Sequence, residues 1–183
     1  LIAAIFNKYM PDVATNHKLK KNDPWSLIKD FLNSYKRLWR DPLGQLSLTI
    51  TTLFWGAGAT LRLVIIGWAA YVLGYGLDKS TTLSATVAFG VAIGAIFAAF
   101  FIKMKDSTNI LPLGIVMGVL VCSMVFITNW QSAAIVLTLI GVLSGMLIVP
   151  LNALLQHRGH LLIGAGHSIA VQNFNENLGI LIL

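Results

Sequence analysis

Five long apolar stretches follow one another along the chain, and short polar segments separate them. They lie at 46–73, 82–102, 110–128, 132–155 and 164–183. Each is long enough for an α-helix to cross a hydrocarbon core of about 30 Å, which takes about 20 residues. None shows a sustained two-residue alternation, and an open sheet edge cannot face lipid. The pattern therefore predicts an all-α fold with five membrane-spanning helices.

A different pattern precedes the first of these stretches, between Pro24 and Pro42. Its apolar side chains recur at helical spacing: Trp25, Ile28, Leu32, Tyr35 and Trp39. Its basic side chains fall on another face: Lys29, Lys36 and Arg40. Proline is favoured at the start of a helix and discourages its continuation. We expect an amphipathic helix that lies either along the cytoplasmic membrane surface or against other cytoplasmic loops.

The composition excludes an ordinary soluble domain. Hydrophobic residues make up 56% of the chain and charged residues 11%, and the mean hydropathy is +0.77. Soluble proteins carry about a quarter charged residues, and a small soluble domain buries only about 60 to 70% of its unfolded surface. A bilayer removes the need to bury the remaining apolar surface, so the composition favours a membrane protein.

The positive charge is concentrated ahead of the first apolar stretch. Eight of the thirteen Lys and Arg residues lie between Lys8 and Arg40, a position more typical of a topology signal than of nucleic-acid binding. If residues 8–45 are cytoplasmic, alternating spans place eleven basic residues inside and one, Lys79, outside. We therefore expect a cytoplasmic segment at 8–45 and no nucleic-acid partner.

Both ends of the chain indicate a truncated membrane bundle. The chain begins with the apolar run LIAAIF and without an initiating Met, and it closes on LGILIL without a flanking loop. We expect residues 1–45 to hold the end of a preceding helix and a basic cytoplasmic loop with its interfacial helix. Residues 46–183 then form the C-terminal transmembrane bundle.

Two charged residues, Arg62 and Glu176, lie within the predicted spans, where a charge costs about 3 kcal/mol on insertion scales. Glu176 shares a helical face with three amide side chains: Gln172, Asn173 and Asn177. Asn152 lies near the cytoplasmic end of the fourth span. Residue counting places Arg62 at a depth of about 24 Å and Glu176 at about 18 Å. The pair is either a buried ion pair or part of a hydrated cavity in which Arg62 binds an anionic head group.

Glycines at a spacing of four or less recur within the spans, and this spacing lets membrane helices approach closely. The pairs are Gly56 and Gly58, Gly90 and Gly94, Gly114 and Gly118, and Gly141 and Gly145. No HExxH, Walker or nucleophile-elbow motif is present, and the sequence has no paired carboxylates for acid and base work. We therefore expect no catalytic residue, metal or cofactor. The single cysteine, Cys122, lies in an apolar run and is expected to pack.

Four segments carry a resemblance to a known family: KRLWRDPLG at 36–44, LFWGAGATLRL at 53–63, VPLNALLQHRG at 149–159 and GAGHSIAVQNFNENLG at 164–179. From about residue 25 onward, the chain resembles the bacterial lysophospholipid transporters of the major facilitator superfamily. The resemblance implies the second six-helix half of a twelve-helix transporter, lacking its last helix. The basic segment is then the central loop that joins the halves.

Transporters of this family move lysophospholipids, such as lysophosphatidylethanolamine, from the outer to the inner leaflet of the bacterial inner membrane. There an acyltransferase with acyl-carrier-protein synthetase activity, separate or fused, restores the missing chain. The resemblance implies that Arg62 binds the lipid phosphate, and that Glu176 and its amide neighbours hold the head group. It also implies that this chain acts with surrounding membrane lipid and with the missing N-terminal half.

Three rival functions are separable from this one. A major facilitator exporter of drugs or small metabolites shares the architecture and differs in its substrate. A membrane acyltransferase is expected to carry an HxxxxD pattern, which the sequence lacks. A purely structural subunit predicts that apolar residues can replace both Arg62 and Glu176 without loss.

Overall fold

The computed structural model describes residues 24–183, and the predicted end of a preceding helix and the loop residues before 24 lie outside this part of the chain. The described part is helical. Its helices are α1 (Pro24–Arg40), α2 (Pro42–Val72), α3 (Leu77–Phe101), α4 (Pro112–Ser123), α5 (Trp130–Ile163) and α6 (Ala165–Ile182). Short 3₁₀ turns flank α4 at Met104–Asp106 and Met124–Phe126. The all-α prediction is confirmed.

A single residue, Asp41, separates α1 from α2. Its backbone is extended, and its carboxylate accepts a hydrogen bond from the backbone N–H of Gly44 at 2.8 Å. Pro42 occupies the first position of α2, where its missing N–H costs no helical hydrogen bond. These two residues end one helix and begin the next, as the prolines at both boundaries predict.

Helices α3 and α5 pack together through glycines. A Cβ on Gly90 or Gly94 would meet the backbone of α5, and one on Gly141 or Gly145 would meet the backbone of α3. The contacts advance in the same direction on both helices, so α3 and α5 are parallel. The close packing predicted for these two glycine pairs is confirmed. The chain must therefore run back along the bundle between them, and α4 lies in this return segment.

Helices α2 and α6 are also parallel and meet at glycines. A Cβ on Gly56 would meet the carbonyl of Gly179, and one on Gly179 would meet the carbonyl of Thr52. By contrast, a Cβ on Gly58 or Gly118 would meet no atom of the described residues within 4 Å. The small-residue rule therefore holds at the α2–α6 and α3–α5 contacts and fails at these two positions.

Among residues 24–183, three helices are long and apolar enough to cross a membrane: Pro42–Val72, Leu77–Phe101 and Trp130–Ile163. The apolar segment Pro112–Phe126 is shorter. Membrane crossing by this segment and by α6 stays a prediction. Large apolar side chains such as Phe89, Phe100 and Leu181 are exposed on the outside of the bundle. An exposed apolar exterior is the surface expected of helices that face lipid.

Candidate functional site

A polar network joins α5 to α6 inside the bundle. Gln172, of which 8% is exposed, donates from Nε2 to Oδ1 of Asn152 at 3.1 Å and to Oε1 of Glu176 at 2.7 Å. The amide carries two N–H donors, and both have acceptors here. The structure thus brings together three of the residues predicted from the sequence, one of them on a different helix.

Trp55 on α2 brings a third helix beside this network. Its indole lies near the carboxylate of Glu176, and an indole N–H can only donate a hydrogen bond. Trp55 is the neighbour of Gly56, where α2 lies against α6. Sequence reasoning missed Trp55 because an isolated tryptophan in an apolar helix gives no signal of a polar partner.

Asn173 and Asn177 lie on the exposed side of α6. Asn177 donates from Nδ2 to the backbone carbonyl of Asn173 at 2.7 Å. The sequence places both on one helical face with Gln172 and Glu176. In the structure this face is only partly covered by the neighbouring helices. Gln172 is buried and Glu176 is half-buried, whereas Asn173 and Asn177 are exposed.

Arg62 is exposed, and in the described part of the chain no hydrogen bond or ion pair joins it to another residue. It lies six residues beyond Gly56, whereas Glu176 lies three residues before Gly179. Since these glycines face each other, the two charges are roughly 13 Å apart along the helix axes. The structure separates them more than residue counting indicated, and it does not bring Arg62 into the network.

Asn175 is a buried polar residue that sequence reasoning did not select. Only 3% of it is exposed; its Nδ2 donates to the carbonyl of Val171 at 3.2 Å, and its Oδ1 accepts from the Tyr35 hydroxyl at 3.4 Å. Asn175 follows Gln172 by three residues, so the two lie on the same side of α6. This spacing is the sequence signal that could have identified Asn175. Through Tyr35, the polar side of α6 reaches α1.

A bidentate ion pair joins Asp41 to Arg158 at the end of the bundle that also carries α1. Arg158 donates from Nε to Oδ2 of Asp41 at 3.0 Å, and its Nη2 contacts Oδ1. The hydrogen bonds from Arg158 hold the pKa of the Asp41 carboxyl below its ordinary value of 3.8, against the opposing effect of burial. The two residues are 117 positions apart, and the sequence offered no sign of their pairing.

A cavity of about 510 Å³ opens at the opposite end of the bundle. Its lining is mainly polar and aromatic: Tyr75, Lys79, Thr82, Asn129, Trp130 and Gln131. The Lys79 ammonium lies 4.8 Å from the centre of the Tyr75 ring. Within residues 24–183, no three His, Cys, Asp or Glu side chains are grouped as metal ligands would be.

The long apolar helices, the exposed apolar exterior and the internal polar network define a multi-pass helical membrane protein. A protein named lysophospholipid transporter LplT from Serratia proteamaculans (strain 568) is 41% identical over 182 residues, which are 99% of this chain and 46% of that protein. One of the same name from Yersinia enterocolitica serotype O:8 is 39% identical over 183 residues, 100% of this chain and 45% of that protein.

The chain is thus similar along its whole length to proteins named as lysophospholipid transporters, which agrees with the resemblance of its motifs. It spans about half the length of the curated relatives it matches. No family model matches the chain. No solved structure matches it either.

Proposed function

We propose that this chain forms part of a major facilitator transporter that moves lysophospholipids, such as lysophosphatidylethanolamine, from the outer to the inner leaflet of the bacterial inner membrane. The observation that carries the proposal is the identity of about 40% over the whole chain with proteins named as lysophospholipid transporters. The polar network in an otherwise apolar bundle supports it, because a lipid head group needs a polar path while its acyl tail can stay in lipid.

Arg62 is the residue proposed to bind the lipid phosphate. Its guanidinium is exposed and has no partner among residues 24–183, so its five N–H donors are available to a ligand. A guanidinium matches the geometry of phosphate oxygens in a bidentate contact. Counted from Leu48, which packs beside Leu155 and Val171, Arg62 lies about 21 Å along α2. The proposed topology puts this position in the outer half of the membrane.

The network around Glu176 is proposed to receive the head group nearer the cytoplasmic side. Glu176 accepts a hydrogen bond from Gln172 and lies near the indole of Trp55, and as a carboxylate it attracts an ammonium head group. The open amides of Asn173 and Asn177 lie beside it on α6. Since Arg62 and Glu176 are roughly 13 Å apart along the axis, they suit successive contacts with a moving head group rather than one shared ion pair.

The other parts of the proposal concern the rest of the transporter. Carriers built from two repeats usually work by rocking one half against the other around a central polar site. Transport therefore requires the other half of the transporter, which corresponds to the part of the relatives that this chain does not match. We place residues 8–45 in the cytoplasm as the loop between the halves, following the distribution of basic residues. An acyltransferase with acyl-carrier-protein synthetase activity, separate or fused, then reacylates the delivered lipid.

Uptake of radiolabelled lysophosphatidylethanolamine by the complete transporter tests the proposal. Arg62→Ala is expected to abolish uptake while leaving the amount in the membrane normal, and Arg62→Lys to restore only part of it because a lysine lacks the bidentate fork. Lys103→Ala is the matched control, since it also removes one exposed positive charge, outside the site. Normal uptake by Arg62→Ala would overturn the assignment. Transport of amphipathic drugs but no lysophospholipid would favour the exporter alternative.

A further inference from the structure

Helix α1 is attached to the bundle by one side of its surface. Leu38 is fully buried and packs in a cluster with Leu48, Leu155 and Val171. One and two turns earlier, the rings of Tyr35 and Phe31 pack on the ring of Phe174, with centroids 6.1 and 5.4 Å apart. The docked side therefore uses residues of α2, α5 and α6, and it fixes the orientation of α1 against all three.

A second apolar strip on α1 remains uncovered by the described residues. Ile28 and Leu32, one helical turn apart, are each 50% exposed, and Trp25 is 77% exposed. An ordinary surface helix turns polar beyond its docked side. On α1 the apolar residues continue beyond the side that contacts the bundle, so the helix exposes an apolar strip.

Basic side chains border this strip along one edge. Lys29, Lys36 and Arg40 are exposed. Lys29 lies one helical turn after Trp25, and Lys36 lies one turn after Leu32. Arg40 lies one turn after Lys36 and continues the row. Arg37 adds a fourth positive charge on α1, against one carboxylate, Asp30. Apolar residues beside a row of cations are the pattern of a helix that binds an anionic membrane surface.

The position of α1 relative to α5 sets it at the level of the membrane boundary. The apolar stretch on α5 that is predicted to cross the membrane ends at residue 155. Leu38 contacts Leu155 at this end. The same end of the bundle carries Arg158 and Asp41, as expected outside the hydrocarbon.

We propose that the strip of Trp25, Ile28 and Leu32, with its basic edge, binds the anionic phospholipids of the cytoplasmic leaflet. The charge favours lipid over another part of the protein as the occupant, because lysine is depleted in the cores of protein interfaces, whereas a basic residue near an anionic surface strengthens binding about fivefold. This inference does not rest on lysophospholipid transport. It depends on α1 lying on the cytoplasmic side.

Lipid-quenching fluorescence on the complete protein in vesicles tests the proposal. An environment-sensitive dye is attached at Leu32→Cys, with Asp30→Cys as the matched control, in a background without other cysteines. The control position is exposed and lies about 160° around α1 from Leu32. With anionic phosphatidylglycerol in the vesicles, we expect a blue-shifted dye and strong quenching by spin-labelled lipid at position 32, and weak quenching at position 30.

Replacing Lys29, Lys36 and Arg40 together with glutamine is expected to reduce the quenching at position 32 toward the control level, and high salt to do the same. Equal quenching in neutral and anionic vesicles would overturn the recognition of anionic lipid. A blue-shifted dye without quenching would show that protein covers the strip, and equal quenching at both positions would show a helix immersed on all sides. Either result refutes the proposal, and none of these readouts measures transport.

Discussion

Arg158 on α5 holds the carboxylate of Asp41, the residue that caps α2, by a hydrogen bond of 3.0 Å from its Nε and a second contact from its Nη2. The Oδ2 atom that accepts the first of these also accepts the backbone N–H of Gly44 at 2.8 Å. One carboxylate therefore starts α2 and fastens it to α5. The side chain of Asp41 is 10% exposed and that of Arg158 is 31% exposed, so the pair is shielded more than a surface salt bridge.

Asp41→Asn separates the ion pair from the cap. Asparagine caps helices about as well as aspartate, so this variant loses mainly the charge, and we expect a loss of about 1 kcal/mol. Asp41→Ala loses the cap as well, which adds about 1 kcal/mol. The melting temperature of the purified protein should fall by about 3 °C in the first variant and by about twice that in the second. A wild-type melting temperature for Asp41→Asn would contradict a contribution of the ion pair, and equal melting temperatures for the two variants would contradict a separate contribution of the cap.

The same ion pair predicts a pH dependence of stability. The pKa of Asp41 is lowered in the folded protein from its ordinary value of 3.8, so the folded state binds the proton less readily than the unfolded state. The stabilisation is complete above the ordinary pKa and is lost as the pH falls through the lowered one. We expect the gap in melting temperature between wild type and Asp41→Asn to be constant from about pH 8 to 5 and to narrow below about pH 4. A gap that widens in acid would disprove this.

Close packing of α3 on α5 predicts strong sensitivity at Gly94. A Cβ there would lie against the carbonyl of Val142, and backbone cannot move aside as a flexible side chain can. Gly94→Val is expected to cost more than about 2 kcal/mol, or to prevent assembly, as read by size-exclusion chromatography and thermal melting. Gly118→Val is the control, because a Cβ at Gly118 meets no described atom within 4 Å. Comparable damage from both substitutions would point to a general intolerance of valine.

The hydrogen bond between Gln172 and Asn152 predicts energetic coupling of α6 to α5. A double-mutant cycle with Gln172→Ala and Asn152→Ala should give a coupling of about 0.5 to 1.5 kcal/mol in thermal or denaturant unfolding. The cycle that pairs Asn152→Ala with Asn177→Ala should give a coupling near zero, since Asn177 bonds instead to the backbone of Asn173. Coupling of the same size in both cycles would exclude a specific contact.

Local signals predicted much of the fold. Pro24 and Pro42 define the ends of α1 through backbone chemistry that acts within one or two residues. The glycine pair on α3 and that on α5 predicted close packing because small residues have few other uses in a membrane helix. Gly118 carries the same signal without the contact. The spacing of the glycines identifies a helix face without bulky side chains. It does not predict whether another helix packs against that face.

The members of the polar network were predicted in part, and its geometry was not. Glu176 and Gln172 stood out because polar groups at membrane depth are costly, and the structure joins them. Their contacts with Trp55 and Asn152 depend on how α2 and α5 pack against α6, which no local pattern encodes. Cys122, expected to pack, is exposed on α4, since an apolar run does not reveal which of its faces meets lipid.

Helices α5 and α6 are joined by one residue, Gly164, at φ 86° and ψ 156°. Only glycine adopts this backbone conformation without strain, so any other residue at position 164 would strain the joint. Just before it, Gly159 lies directly against Ser168, and a side chain there would push the two helices apart. Two glycines that bear no polar group therefore set the register of α5 against α6, and with it the pairing of Asn152 with Gln172.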